Sequence, residues 1–115
     1  MIIVDDCETN CRILRTFCEA NGFEVLITLY SADDILEEYE HRKPDVIIMD
    51  YFMSGKDGIT ATKELTTKYP EAKVVLFSAM GLWDDQTRAK ESGAIGFIQK
   101  PLYMNLMNFI RELDI

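Results

Sequence analysis

The side chains with the widest chemical scope in this chain are two adjacent carboxylates, Asp5 and Asp6, a third carboxylate at Asp50, the hydroxyl of Ser78 and the ammonium of Lys100. Each comes within two residues of the end of a short apolar run, and if those runs are neighbouring strands, all of these groups reach one rim. Three carboxylates crowded in a cleft repel one another and hold protons more tightly, so such a group is kept where a cation neutralises it. Oxygen donors in an open site suit Mg²⁺ or Mn²⁺ rather than zinc. A divalent ion that retains waters is the usual companion of a transferring phosphoryl group. Ser78 and Lys100 then offer a hydroxyl and an ammonium to phosphoryl oxygens that the metal does not hold, and Asp50 can serve as a carboxylate nucleophile. Taken singly, each acid would more often cap a helix and Lys100 would only pair with an aspartate. Their joint position at successive strand ends outweighs that reading.

The elements that must position these groups are set by periodicity. Apolar, β-branched runs at Ile2 to Val4, Glu24 to Leu29, Val46 to Met49, Val74 to Phe77 and Ala94 to Ile98 predict strands. Amphipathic segments at Glu8 to Ala20, Ala32 to His41, Gly58 to Tyr69, Asp84 to Ser92 and Leu102 to Leu113 predict helices between and after them. Asn21-Gly22 and Gly93 read as helix stops, Ser31-Ala32-Asp33-Asp34 as a capping box, and Pro44, Pro70 and Pro101 fall between elements. Strict alternation with short connections implies parallel strands, right-handed crossovers and helices on both faces of one sheet. In such α/β sheets the ligand site lies outside the carboxyl ends of the strands.

Composition narrows the function. The 115 residues suffice for one domain, 1–115, with a core that needs no disulfide or structural zinc. A formal charge of −8 argues against a nucleic-acid surface, because phosphate binding relies on clustered Lys and Arg. No apolar run approaches the roughly 18 residues of a membrane span, and the start lacks the features of a signal peptide, so a cytoplasmic location is expected.

In combination these residues resemble the receiver domains of two-component response regulators, with the match running over essentially the whole chain. The similarity rests on Val4-Asp5-Asp6, on Ile47-Ile48-Met49-Asp50, on Met53 and Asp57-Gly58, on Ser78-Ala79, and on Gly93-Ala94, Phe97 and Lys100-Pro101. The resemblance implies a flavodoxin-like doubly wound α/β fold, with a five-stranded parallel sheet in the order 2-1-3-4-5 and five helices. It implies Asp50 as the phosphoacceptor, with a histidine kinase or phosphotransfer protein as donor. Mg²⁺ would be held by Asp6, Asp50 and the main-chain carbonyl of Phe52, with Asp5 acting through water. Ser78 would turn toward the phosphoryl oxygen, Phe97 would move inward, and Lys100 would pair with the phosphoryl group. The bond before Pro101 is often cis in the family. Lacking an output domain in these residues, the protein would signal by a changed affinity for a target protein, and the fourth and fifth helices are a face for phosphorylation-dependent pairing.

Two alternatives remain at this point: a small haloacid-dehalogenase-like phosphohydrolase and a degenerate receiver that binds constitutively. The first places an aspartate two residues beyond its nucleophile, where this chain has Phe52; intact acids at 5, 6 and 50 disfavour the second. Ser54 replaces the proline usual in the family, with little chemical consequence expected. Phe52 and Met80 occupy the positions that tune hydrolysis, and their apolar side chains predict a long-lived phosphate. Cys7, Cys11, Leu14 and Cys18 share one helix face and read as buried packing rather than a metal or redox site. His41 reads as a solvated helix end, and Gly55-Lys56 lacks the spacing of a P-loop. Trp83 is a convenient fluorescence reporter. On the last helix, Leu102, Leu106, Phe109, Ile110 and Leu113 form the expected core stripe, with Tyr103, Met104 and Met107 at its flanks. Crowding of the acids predicts that asparagine at position 6 or 50 stabilises the metal-free protein, by roughly 1–3 kcal/mol.

Overall fold

The computed structural model describes residues 1–79 and 83–113, apart from the side chains of residues 83–86. Met80 therefore lies outside the described residues, as does the side chain of Trp83. Strands β1 (Ile2–Val4), β2 (Ile27–Leu29), β3 (Ile47–Met49), β4 (Val74–Ser78) and β5 (Gly96–Gln99) alternate with helices α1 (Glu8–Ala20), α2 (Ile35–Arg42), α3 (Gly58–Lys68), α4 (Trp83–Glu91) and α5 (Tyr103–Arg111). All strand pairs are parallel, in the order β2-β1-β3-β4-β5.

Strand alternation divides the core in two. Ile2, Val4, Ile47, Met49, Val74 and Leu76 face α2, α3 and α4 through Ile35, Tyr39, Ile59, Ala61, Leu65 and Ala89. Ile3, Ile48, Val75 and Phe77 face α1 and α5 through Cys11, Leu14, Cys18, Leu106, Met107 and Ile110. Because β1, β3 and β4 are buried on both faces, their sequences are continuous apolar runs, and the switch in strand order between β1 and β3 puts Asp5, Asp6 and Asp50 beside one another.

The punctuation has direct causes. Gly22, at φ 86°, succeeds α1 in a Schellman arrangement: Phe23 N–H donates to Cys18 O at 2.9 Å and Gly22 N–H to Glu19 O at 3.1 Å. Pro44, Pro70 and Pro101 lie between elements, and the Lys100-Pro101 bond is cis. Gly58 opens α3 where Asp57 caps it by accepting from Thr60 N–H at 2.7 Å, and a Cβ at Gly58 would collide with the main-chain oxygen of Asp50. Gly58→Ala is expected to lower stability by about 2–3 kcal/mol, seen as a lower urea midpoint at unchanged slope. A midpoint equal to that of the native chain would contradict the close approach.

Several boundaries differ from expectation. β2 begins at Ile27 rather than Glu24, because β1 offers pairing partners only from Ile2 onward, opposite Ile27; Leu26 N–H instead meets Met1 O at 2.8 Å. The capping box does not form: Ser31 Oγ accepts from Asp33 N–H at 3.2 Å, and α2 starts after Asp34, which makes no side-chain cap. α2 ends on Lys43 in the left-handed region at φ 46°, without a glycine to announce it, and His41 is exposed in its last turn. The α5 stripe is rotated. Met107 is fully buried with Leu106 and Ile110, whereas Leu102 precedes the helix and is exposed, and Phe109 and Leu113 are only partly buried. Cys7 also departs from the buried face: it is the exposed residue before α1, while Cys11 and Cys18 are buried.

Candidate functional site

Asp5, Asp6 and Asp50 come together at the carboxyl ends of β1 and β3, each offering an oxygen within 4.8 Å of the others. Among the described residues this is the group that could hold a metal ion, and it offers oxygen donors only. The three carboxylates are not equivalent. Asp5 is buried, its Oδ1 accepting from Cys7 N–H at 2.9 Å and its Oδ2 from the Lys100 ammonium at 2.8 Å. Asp6 is exposed, and its Oδ2 accepts from Ser54 N–H at 3.1 Å and Ser54 Oγ at 3.4 Å. Asp50 is half-buried; its Oδ1 accepts from Tyr51 N–H at 2.9 Å and lies 3.6 Å from Lys100 Nζ.

Burial pushes the Asp50 carboxyl above its ordinary value, aided by the charge of Asp5 and opposed by Lys100, the Ser78 hydroxyl and the Tyr51 N–H. Burial works in the opposite sense on Lys100, but its hydrogen bond to Asp5 and the charge of Asp50 outweigh it, so this ammonium holds its proton more tightly than usual. Ser78, at the end of β4, is buried beside these groups, and its hydroxyl favours the ionised form of Asp50. The β5 end delivers Lys100, whose N–H donates to Ser78 O at 2.8 Å and so ties the two strand ends together.

Three oxygen-donor carboxylates beside a hydroxyl and an ammonium can support phosphoryl transfer, and the family relationship agrees with that chemistry. Residues 1–110 match the profile of the response regulator receiver domain. The chain belongs to that family. The receiver is 35% identical over 101 residues to the chemotaxis protein CheY of Bacillus subtilis, covering 88% of this chain and 84% of that protein. It is also 35% identical over 101 residues to the CheY of Thermotoga maritima, with the same coverage. Among solved structures, the CheX-CheY-BeF3-Mg+2 complex from Borrelia burgdorferi superimposes with a TM-score of 0.91 at 25% identity, over 99% of this chain and 87% of that one. The receiver therefore has the CheY-like, flavodoxin-type fold and a phosphoacceptor signalling role, which the hydrolase alternative does not share.

The other residues to which the sequence points sort by position. Phe97 lies on β5 beside Leu76 and is partly buried against the α2–α4 side of the core. Phe52 is exposed and its ring stacks on that of Tyr51, with centroids 4.3 Å apart and planes 5° from parallel. Lys56 pairs with Glu64 at 2.5 Å, a role in the β3–α3 loop unrelated to phosphate.

Two residues of this region join the site without a clear sequence signal. Tyr51 is buried, and its hydroxyl accepts from the Arg88 guanidinium of α4 at 2.5 Å; an aromatic directly after Asp50 is the available hint. Ser54 reads in the sequence as a loop residue of little consequence, although its replacement of a proline adds a backbone donor.

Of the three cysteines, Cys11 touches this site through the Asp5 main chain, while Cys18 lies further along α1 near the chain's N-terminus. Burial pushes the thiols of Cys11 and Cys18 up to about 12, and Cys11 Sγ donates to Asp5 O at 3.2 Å. Because the thiolate is the reactive form, Cys7 is expected to be the one thiol that titrates rapidly with an aromatic disulfide reagent in the native receiver. All three should react in denaturant. Rapid modification of more than one thiol without unfolding would contradict the packing of α1.

Proposed function

We propose that Asp50 takes up the phosphoryl group from a histidine kinase or phosphotransfer protein and that the phosphorylated domain signals through a changed affinity for a partner protein. The position of Lys100 carries this reading, because one partly buried ammonium lies 2.8 Å from Asp5 and 3.6 Å from Asp50, where it can follow charge added to Asp50. In the transfer, an Asp50 carboxylate oxygen forms a bond to phosphorus while the bond from phosphorus to the donor breaks, its electron pair leaving with the donor.

Mg²⁺, or Mn²⁺ in its place, would suit the oxygen donors that Asp5, Asp6 and Asp50 bring together; Asp6, Asp50 and the Phe52 main-chain carbonyl would hold it, with Asp5 acting through water. The ion supplies charge neutralisation for the phosphoryl oxygens. Ser78 turns its hydroxyl to a phosphoryl oxygen, Lys100 pairs with another, and Phe97 moves inward behind Ser78. Such a domain phosphorylates itself from a small donor and loses the group slowly; it does not turn over a substrate.

Apolar Phe52 and Met80 offer no group to orient an attacking water, so the phosphate is long-lived. Decay of labelled protein after donor removal, in excess Mg²⁺, checks this, and a half-life of seconds would contradict it. Exposed Ile95, Leu102 and Met104 favour a protein partner or a second phosphorylated copy on the α4–α5 side. A net charge of −8 disfavours direct DNA contact, and a cytoplasmic setting suits three free cysteines. No described helix is long and apolar enough to cross a membrane.

Beryllofluoride, which mimics a phosphoryl group on a carboxylate, tests the whole reading. Heteronuclear NMR of the native receiver should change at Ser78, Phe97 and Lys100 with beryllofluoride and Mg²⁺ together, and not in Asp50→Asn. Shifts in that variant equal to those of the native chain would remove Asp50 from the role.

A further inference from the structure

We infer that Ser54 is a positioning residue for the metal ligand Asp6, through a pair of hydrogen bonds that the proline usual in the family cannot make. The inference rests on reading Asp6 as a Mg²⁺ ligand.

Asp6 is the exposed member of the carboxylate group, whereas Asp5 is buried and held at both oxygens. An exposed aspartate samples several rotamers, and fixing one of them on metal binding costs side-chain entropy. Among the described residues, Asp6 accepts hydrogen bonds from Ser54, whose N–H donates to Oδ2 at 3.1 Å and whose hydroxyl lies 3.4 Å from the same oxygen. Both partners bond one carboxylate oxygen and leave the other free of them. The N–H bond has ordinary length, while the hydroxyl contact is at the long end of the range, so the amide carries most of the effect.

The contact spans 48 positions in sequence and bridges two loops. One comes after β1 and carries the acidic pair; the other comes after β3 and carries the Phe52 carbonyl two residues before Ser54. This contact therefore adds to the β1–β3 pairing a tie between the two ligand-bearing loops themselves. Groups that hold a metal ligand from behind are worth about 10- to 100-fold in metal affinity. Proline at 54 restores the family's residue but removes the backbone donor and the hydroxyl together.

The test is a series of Mg²⁺ titrations by isothermal calorimetry on the native chain, Ser54→Ala and Ser54→Pro, with thermal unfolding in EDTA run on each. Ser54→Ala keeps the amide, so its Mg²⁺ dissociation constant should stay within about threefold of the native value, while Ser54→Pro should weaken binding about tenfold. Acetyl phosphate labelling adds a split that general loosening does not produce: Ser54→Pro should need more Mg²⁺ for half-maximal labelling and reach the native rate at saturating Mg²⁺.

Should Ser54→Pro fail to fold, amide hydrogen exchange decides the matter. Ser54 N–H is expected to be protected in the native chain and to lose that protection in Asp6→Ala. Equal Mg²⁺ affinity in the native chain and a folded Ser54→Pro, or an unprotected Ser54 amide, overturns the inference and leaves Asp6 as a ligand. No Mg²⁺ binding by the native chain overturns the reading of the site and the inference with it.

Discussion

Lys100→Ala is expected to destabilise the metal-free domain by about 3 kcal/mol and to abolish its response to beryllofluoride. The side chains of Lys100 and Asp5 retain only 16% and 6% of their exposure, so solvent screens their 2.8 Å contact weakly. Removing the ammonium leaves Asp5 buried with one oxygen unpaired and Asp50 without its cation. Burial already disfavours ionised Asp50, and Lys100 is the largest influence opposing it. The loss should therefore be partly recovered by adding Mg²⁺, in proportion to how tightly the folded state binds it. Urea unfolding in EDTA and in millimolar Mg²⁺ measures both parts. Stability within about 0.5 kcal/mol of the native chain in EDTA would place this pair among screened surface contacts.

Asp50→Asn should act in the opposite direction, stabilising the metal-free protein by about 1–2 kcal/mol at neutral pH. The folded state raises the Asp50 pKa above its ordinary 3.8, chiefly by burial, so the folded carboxyl binds a proton more tightly than the unfolded one. Its contribution to stability is fully present below the unfolded value and is lost as pH rises through the folded value. The advantage of asparagine is accordingly absent below about pH 3.8, grows between the two values and levels off above the folded one. Mg²⁺ should narrow or reverse the difference, since the native site gains more from the ion. A gain that persists undiminished at acid pH would mean that the amide improves packing and that charge is not the cause. No comparable gain is expected at position 6, against the symmetric sequence expectation, because Asp6 is exposed and accepts hydrogen bonds from Ser54.

The strand order and the rim of functional groups are legible in the sequence because buried parallel strands leave a plain signature. Ile2 to Val4, Val46 to Met49 and Val74 to Phe77 have no polar residue to blur them, and the residue directly after each run is Asp5, Asp50 or Ser78. β2 is less legible. It is an edge strand whose length is set by its neighbour, and the apolar run from Val25 contains no mark of where pairing begins. Lys43 shows the same limit at a helix end, where a non-glycine residue takes the left-handed conformation that usually marks a glycine stop.

Within the site, residue types and spacing point to the three acids, Ser78 and Lys100, but their division of labour is hidden. Which aspartate is buried depends on the turn after β1, where Cys7 N–H closes on Asp5 and leaves Asp6 outside. The α5 face departs from its expected stripe for a geometric reason as well. Leu102 precedes the first turn of the helix, so its side chain does not share the direction of Leu106 and Ile110, and Met107 takes the buried position.

Intact-mass spectrometry with peptide mapping tests the central claim most directly. The native chain is incubated with acetyl phosphate in the presence of Mg²⁺, and in EDTA as the control. The prediction is a single added phosphoryl group, dependent on Mg²⁺, trapped by borohydride reduction as homoserine at position 50 and absent from Asp50→Asn. Equal labelling in EDTA, or a modification mapped to Asp5, Asp6 or any other residue, would contradict the assignment of Asp50 as the phosphoacceptor.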